Sequence, residues 1–125
     1  MLSAKDVMAV HDLILAEEGG LPGDHGLGAV EGAISRVVNH INYAGMDDVF
    51  EIAAMYAVAI ARGHVFNDGN KRTALVSALA YLETEGVALK RTAQLEDIMV
   101  DVAQGVLGEQ DLAEVLFALY TASNG

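Results

Sequence analysis

Arg62-Gly63-His64-Val65-Phe66-Asn67-Asp68-Gly69-Asn70-Lys71-Arg72 is the stretch that decides how the rest of the chain is read. A long apolar run at helical spacing flanks it on each side, so it is expected to be a loop joining two helices. It holds one of the four histidines and three of the seven basic residues of a chain whose formal charge is -11. Lys71 and Arg72 fall in what should be the first turn of the second helix. That end of a helix already carries about half a positive charge and normally attracts Asp and Glu. Cations there cost roughly a few tenths of a kcal/mol each unless an anion offsets them. Free backbone N–H groups, the close approach that Gly69 allows and two cations make an anion site, most naturally for phosphate.

Asp68 adds a carboxylate able to hold Mg²⁺, which typically takes one or two carboxylates plus substrate phosphates. His64 adds a group that can accept a proton near neutral pH. Phe66, an aromatic inside a polar loop, reads as an anchor that inserts into the core and fixes His64 and Asp68. Each residue also has a plainer reading. His64 could be a cap or a core residue, Asp68 or Asn70 could N-cap the helix, and Lys71 and Arg72 could be solvated. Their coincidence in one loop of an acidic chain favours phosphoryl or nucleotidyl transfer. A Walker-type loop is excluded, because Asn70 separates Gly69 from Lys71 and no strand precedes. A zinc site is excluded too, since His64 and Asp68 are only two ligands.

The same residues resemble the signature of the Fic/Doc family, His-x-Phe-x-Asp/Glu-Gly/Ala-Asn-Gly/Lys-Arg. His64, Phe66, Asp68, Gly69, Asn70, Lys71 and Arg72 match it in order. Lys71 stands where the adenylylating Fic branch has Gly, and Leu75 where that branch has a second Arg; both resemble the Doc, or death-on-curing, branch. Gly19-Gly20-Leu21-Pro22-Gly23 also looks Doc-like. Val76 departs from that branch, which generally carries Asn there.

The resemblance implies a toxin of a toxin–antitoxin pair. It would be a protein kinase that moves the γ-phosphate of ATP to a Ser or Thr hydroxyl, with translation elongation factor Tu as target and arrest of translation as outcome. His64 would be the general base and Asp68 the Mg²⁺ ligand. Gly69, Asn70, Lys71, Arg72 and Arg62 would meet the phosphates. A lysine at position 71 fills the space where a nucleotide's α- and β-phosphates lie in the Fic branch, which implies a nucleotide bound the other way round. The alternatives are a Fic-type adenylyltransferase and an inactive module that binds a nucleotide or phosphate. Fic relatives often carry an inhibitory Ser/Thr-x-x-x-Glu-Gly/Asn helix. Thr92 to Glu96 has that spacing, but Asp97 follows. Thr92 is therefore read as a cap, and inhibition is expected from a separate Phd-type antitoxin that folds on binding.

At 125 residues the chain is expected to be one domain, residues 1–125, with a real core. A hydrophobic fraction of 53% and a single proline favour an ordered, helix-rich protein. No cysteine is present, so disulfides and thiolate zinc sites are ruled out. No apolar run reaches the roughly 18 residues of a membrane span, and no signal-peptide pattern opens the chain. A cytoplasmic protein is expected. The acidic charge argues against direct nucleic-acid binding and favours a basic partner.

Ser3 and Asp6 resemble a helix N-cap pair. Val7, Val10 and Ile14 then recur at helical spacing up to Gly19-Gly20, with His11 expected to be structural or exposed. A turn-rich loop from Leu21 to Gly28 follows, with His25 as a solvated residue. The next helix places Val30, Ala33, Ile34, Val37 and Ile41 on one face. Asn39 to Asp47 breaks the pattern; the family resemblance implies a target-docking flap there, and the alternative is an ordinary connection between helices. His40 is read as a surface residue. Val49, Ile52, Ala53, Tyr56, Ala57 and Ile60 form a stripe leading into the loop. Thr73 to Leu82 is apolar nearly all round, the mark of a central, buried helix. Val87 to Arg91 suggests a short extended segment. Two more helices follow, with Leu95, Ile98, Met99 and Val102 inward on one, and Leu112, Val115, Leu116 and Leu119 on the other. The expected class is a compact all-α, Fic-like fold with a short flap.

Overall fold

A computed structural model describes residues 1–124. Six helices follow one another: α1 (Ala4–Glu18), α2 (Leu27–Ala44), α3 (Val49–Gly63), α4 (Asn70–Thr84), α5 (Ala93–Ala103) and α6 (Glu109–Asn124). No strand forms among the described residues, and the class is all-α.

Local chemistry sets the ends of these helices. Ser3 and Asp6 form a reciprocal capping box at α1. Asp48 caps α3 by accepting from the N–H groups of Phe50 and Glu51, and Thr92 caps α5 by accepting from Leu95 N–H. The five apolar residues expected on one face of α2 are all buried.

The core sits around α3 and α4, which pack most extensively on each other. α3 also meets α6, α2 and α5, while α1 covers α4 and α2. In α4 the buried residues Thr73, Ala74, Leu75, Ser77, Ala78, Leu79, Tyr81 and Leu82 cover most of the circumference, and Arg72, Val76, Ala80 and Glu83 mark the strip left less buried. α3 is more enclosed than a single stripe suggests. Ala54, Val58 and Ala61 are buried as well, because small side chains let a second layer of helices approach.

Two hydroxyls in α4 lie uneasily in this core. Thr73 and Ser77 are fully buried, and neither side-chain oxygen has a hydrogen-bond partner among the described residues. A buried, unpaired hydroxyl costs about 1–3 kcal/mol. Thr73→Val keeps the shape and removes that cost, so it is expected to stabilise the fold by about 1 kcal/mol. A urea midpoint that falls instead would disprove this.

One expectation is corrected. The segment Asn39 to Asp47 is no flap: α2 continues through Ala44 and stops at Gly45, whose left-handed backbone (φ 65°) ends it. Ile41 stays in the buried face, which holds the helix together past Asn39. Val87 to Arg91 lies outside the helices, where a short extended segment is expected, and makes no β-pairing. Extended pairing occurs elsewhere, as an isolated antiparallel bridge between Asp24 and Phe66.

Candidate active site

α3 and α4 hold the two ends of the loop, so a packed helix pair fixes its span. His64 terminates α3 in the left-handed region (φ 49°) and is the one non-glycine residue there among those described. That conformation costs about 1–2 kcal/mol, and it turns the chain so that the imidazole lies at the surface while Val65 and Phe66 dive into the core.

Phe66 is the anchor its position suggests, being buried, and it stacks on a residue from another helix. The His11 ring lies 3.7 Å from the Phe66 ring centroid, at 6° to its plane. His11 is buried, and its Nε2 sits 2.8 Å from the Asp68 carbonyl. A carbonyl only accepts, so Nε2 carries the proton and donates. α1 thereby supports the loop from below through one aromatic contact and one hydrogen bond. The side chain of Asn70 closes the loop from within. Its carbonyl accepts from Phe66 N–H at 3.1 Å and its amide donates to the Phe66 carbonyl at 2.9 Å.

The α1–α2 connection supplies the outer wall. His25 N–H donates to the Val65 carbonyl and Asn67 N–H to the Gly23 carbonyl. Leu21 N–H donates to Asp68 Oδ2 at 3.1 Å. Gly20 (φ 134°) must be glycine here, since a Cβ would lie 2.8 Å from Asp68 Oδ2 and 3.0 Å from Arg72 Nη2.

Asp68 receives one N–H at each oxygen, from Leu21 and from Gly69. These bonds hold its carboxyl below the usual range, Leu21 first and then Gly69, with a smaller pull from Arg72 and Lys71. It is therefore ionised at neutral pH. Gly69 begins α4 with no side-chain cap. The first helical bond runs from Thr73 N–H to the Gly69 carbonyl, so the N–H groups of Asn70, Lys71 and Arg72 precede the helical ladder.

Lys71 is exposed and Arg72 half-buried. Arg72 Nη1 donates to the Gly19 carbonyl at 3.1 Å, and its Nη2 lies 3.9 Å from Asp68. Both cations border a cleft of about 250 Å³, floored by Leu75 and Met99 and closed by Glu96, Asp97 and Val100 of α5. Pockets for drug-sized ligands measure roughly 300–1,000 Å³; this cleft is smaller, and neither His64 nor Asp68 lines it.

Arg62, expected at the phosphates, has another task. Its Nε donates to the Val102 carbonyl at 2.9 Å and its Nη2 to the Leu107 carbonyl at 2.7 Å. It staples the end of α3 to the connection between α5 and α6. His25 and His40 are exposed. The support given by His11 was not legible beforehand, because a lone histidine among apolar neighbours does not reveal which distant backbone group it meets.

Among the described residues, no cluster of three His, Cys, Asp or Glu side chains could hold a metal ion. Mg²⁺ bound with a nucleotide needs only one or two carboxylates. Asp68 fits that demand, being ionised and partly exposed, with lone pairs left over on both oxygens.

A model of the Fic/DOC family matches residues 1–82. A protein named "Protein kinase doc", from Escherichia phage P1, is 42% identical over 119 residues, covering 95% of this chain and 94% of that protein.

Proposed function

This chain belongs to the Fic/Doc family, on its Doc branch, and from that premise we propose that it is a toxin kinase that transfers the γ-phosphate of ATP to a Ser or Thr hydroxyl of a protein. The observation that carries this reading is the uncapped start of α4, with Lys71 and Arg72 beside it and ionised Asp68 in front. The kinase name of the phage relative supports the choice of reaction.

In this reading the exposed His64 imidazole takes the proton of the incoming hydroxyl. The hydroxyl oxygen bonds to the γ-phosphorus as the bond to the β-phosphate oxygen breaks, and ADP leaves. Lys71, Arg72 and the first N–H groups of α4 stabilise the charge on the moving group. The Asn70 side chain is engaged with Phe66, so it contributes its backbone N–H and the shape of the loop. Gly69 keeps the approach to that N–H open. Asp68 would hold Mg²⁺, which when bound neutralises phosphate charge. Arg62 supports the site through α3.

The target we propose is translation elongation factor Tu, with arrest of translation as the consequence, in the cytoplasm. The proposed inhibitor is a Phd-type antitoxin, and a basic segment of such a partner would suit a chain of charge -11. No helix among the described residues is long and apolar enough to cross a membrane.

The test uses ATP labelled at the α- or the γ-phosphate, with Mg²⁺ and purified elongation factor Tu. Label from the γ-position on the factor is expected. Label from the α-position would replace the reading with adenylylation, and the absence of both would leave a binding module.

A further inference from the structure

Five charged side chains of alternating sign run from the loop to α5. Asp68 lies 3.9 Å from Arg72, and Arg72 lies 3.7 Å from Glu18 at the end of α1. Arg91, in the connection ahead of α5, donates to both oxygens of Glu18, at 2.6 and 2.9 Å. Arg91 Nε donates in turn to Glu96, at 2.7 Å.

These contacts differ in kind. Arg91 meets Glu18 fork to fork, the strongest geometry between guanidinium and carboxylate. The approach of Glu18 to Arg72 is too long for a hydrogen bond, and Arg72 Nη1 donates to the Gly19 carbonyl instead. Glu18 is held ionised chiefly by its hydrogen bonds from Arg91. A full carboxylate charge therefore sits beside a cation of the phosphate site, yet its oxygens are turned to a different guanidinium.

We propose that Arg91 is a positioning residue of the phosphate site: by holding Glu18 in a two-pronged pair, it keeps the Arg72 guanidinium available to phosphate. This rests on the assignment of Arg72 to phosphate made above. Without Arg91, the cation next to Glu18 is Arg72, and a small side-chain rotation converts 3.7 Å into a direct pair. A phosphate would then have to displace a carboxylate. Glu96 has the complementary role of orienting Arg91 from the first turn of α5, the helix that walls the cleft.

Arg91→Gln, Glu18→Gln and the double variant test this in the full chain. Glu18 and Arg72 are each about one-third exposed or less, so solvent screens the effect. Arg91→Gln should raise the KM for Mg·ATP about fivefold with kcat less affected. The Arg72 Nε–H resonance should shift as that guanidinium pairs with Glu18. The double variant should return both readouts toward those of the unaltered protein. A loss of mere structural support would not be reversed by a second substitution. The proposal is overturned if the double variant is as impaired as Arg91→Gln, or if the Arg72 resonance does not respond. Should no form of the protein transfer phosphate, the kinase reading fails by itself. The resonance still decides: a shift in Arg91→Gln reversed in the double variant supports the role of Arg91, and no shift overturns it.

Discussion

His64→Ala is expected to lower phosphate transfer to the target by about 10²- to 10⁴-fold, the range for removal of a general acid or base. The fold should survive almost unchanged. His64 is exposed, and among the described residues no hydrogen bond ties its ring to a neighbour. Surface changes away from strained backbone fall within about 0.5 kcal/mol, and the left-handed position of His64 adds a modest cost of its own for alanine. The strained backbone at φ 49° is set by the helices on either side and persists with alanine. Binding of Mg·ATP should also be retained, since the anion site belongs to α4. The decisive measurement is single-turnover transfer alongside a urea melt. Transfer within about threefold of the unaltered protein would remove His64 from the chemistry, because such a change is far below what loss of a base produces.

Phe66→Ala is expected to produce the largest loss of stability. Deleting a buried phenyl ring typically costs about 3–5 kcal/mol, against a total of roughly 5–15 kcal/mol for an ordinary domain. Phe66 is 2% exposed and belongs to the main core. Its ring also forms the face on which His11 stacks, so the support beneath Asp68 loosens together with the core. Phe66→Leu fills most of the volume but removes the stack. It should recover most of the stability while leaving transfer reduced, since the Asp68 carbonyl would have a less firmly held donor in His11. Chemical denaturation of the two variants, with transfer measured below their transitions, separates the contributions. An alanine variant as stable as the unaltered protein would show that Phe66 anchors nothing.

Some of this was written in local sequence. Helix positions followed from apolar spacing and from caps such as Ser3 and Thr92, because both act over three or four residues. The central, largely buried place of α4 followed from its composition, and the loop between α3 and α4 followed from its polarity and its glycines. The placing of Asp68, Lys71 and Arg72 at the start of α4, with His64 at the end of α3, was legible for the same reason: they lie within nine positions of one another. The flap expected at Asn39 to Asp47 failed where local signals were weakest, since polar residues there decorate the exposed side of a helix whose buried side continues to Ile41.

What tertiary structure alone decided is how charges and backbone groups far apart in the chain meet. No spacing rule links His11 with Asp68, Leu21 with Asp68, or Glu18 with Arg91. Arg62 looked like a phosphate ligand because it adjoins the loop in sequence, but the carbonyls of Val102 in α5 and Leu107 beyond it claimed its guanidinium. The reason is physical. Hydrogen-bond and ion-pair partners are chosen by proximity in space after the apolar faces have packed, and that packing brings together residues whose separation in sequence carries no record of the encounter.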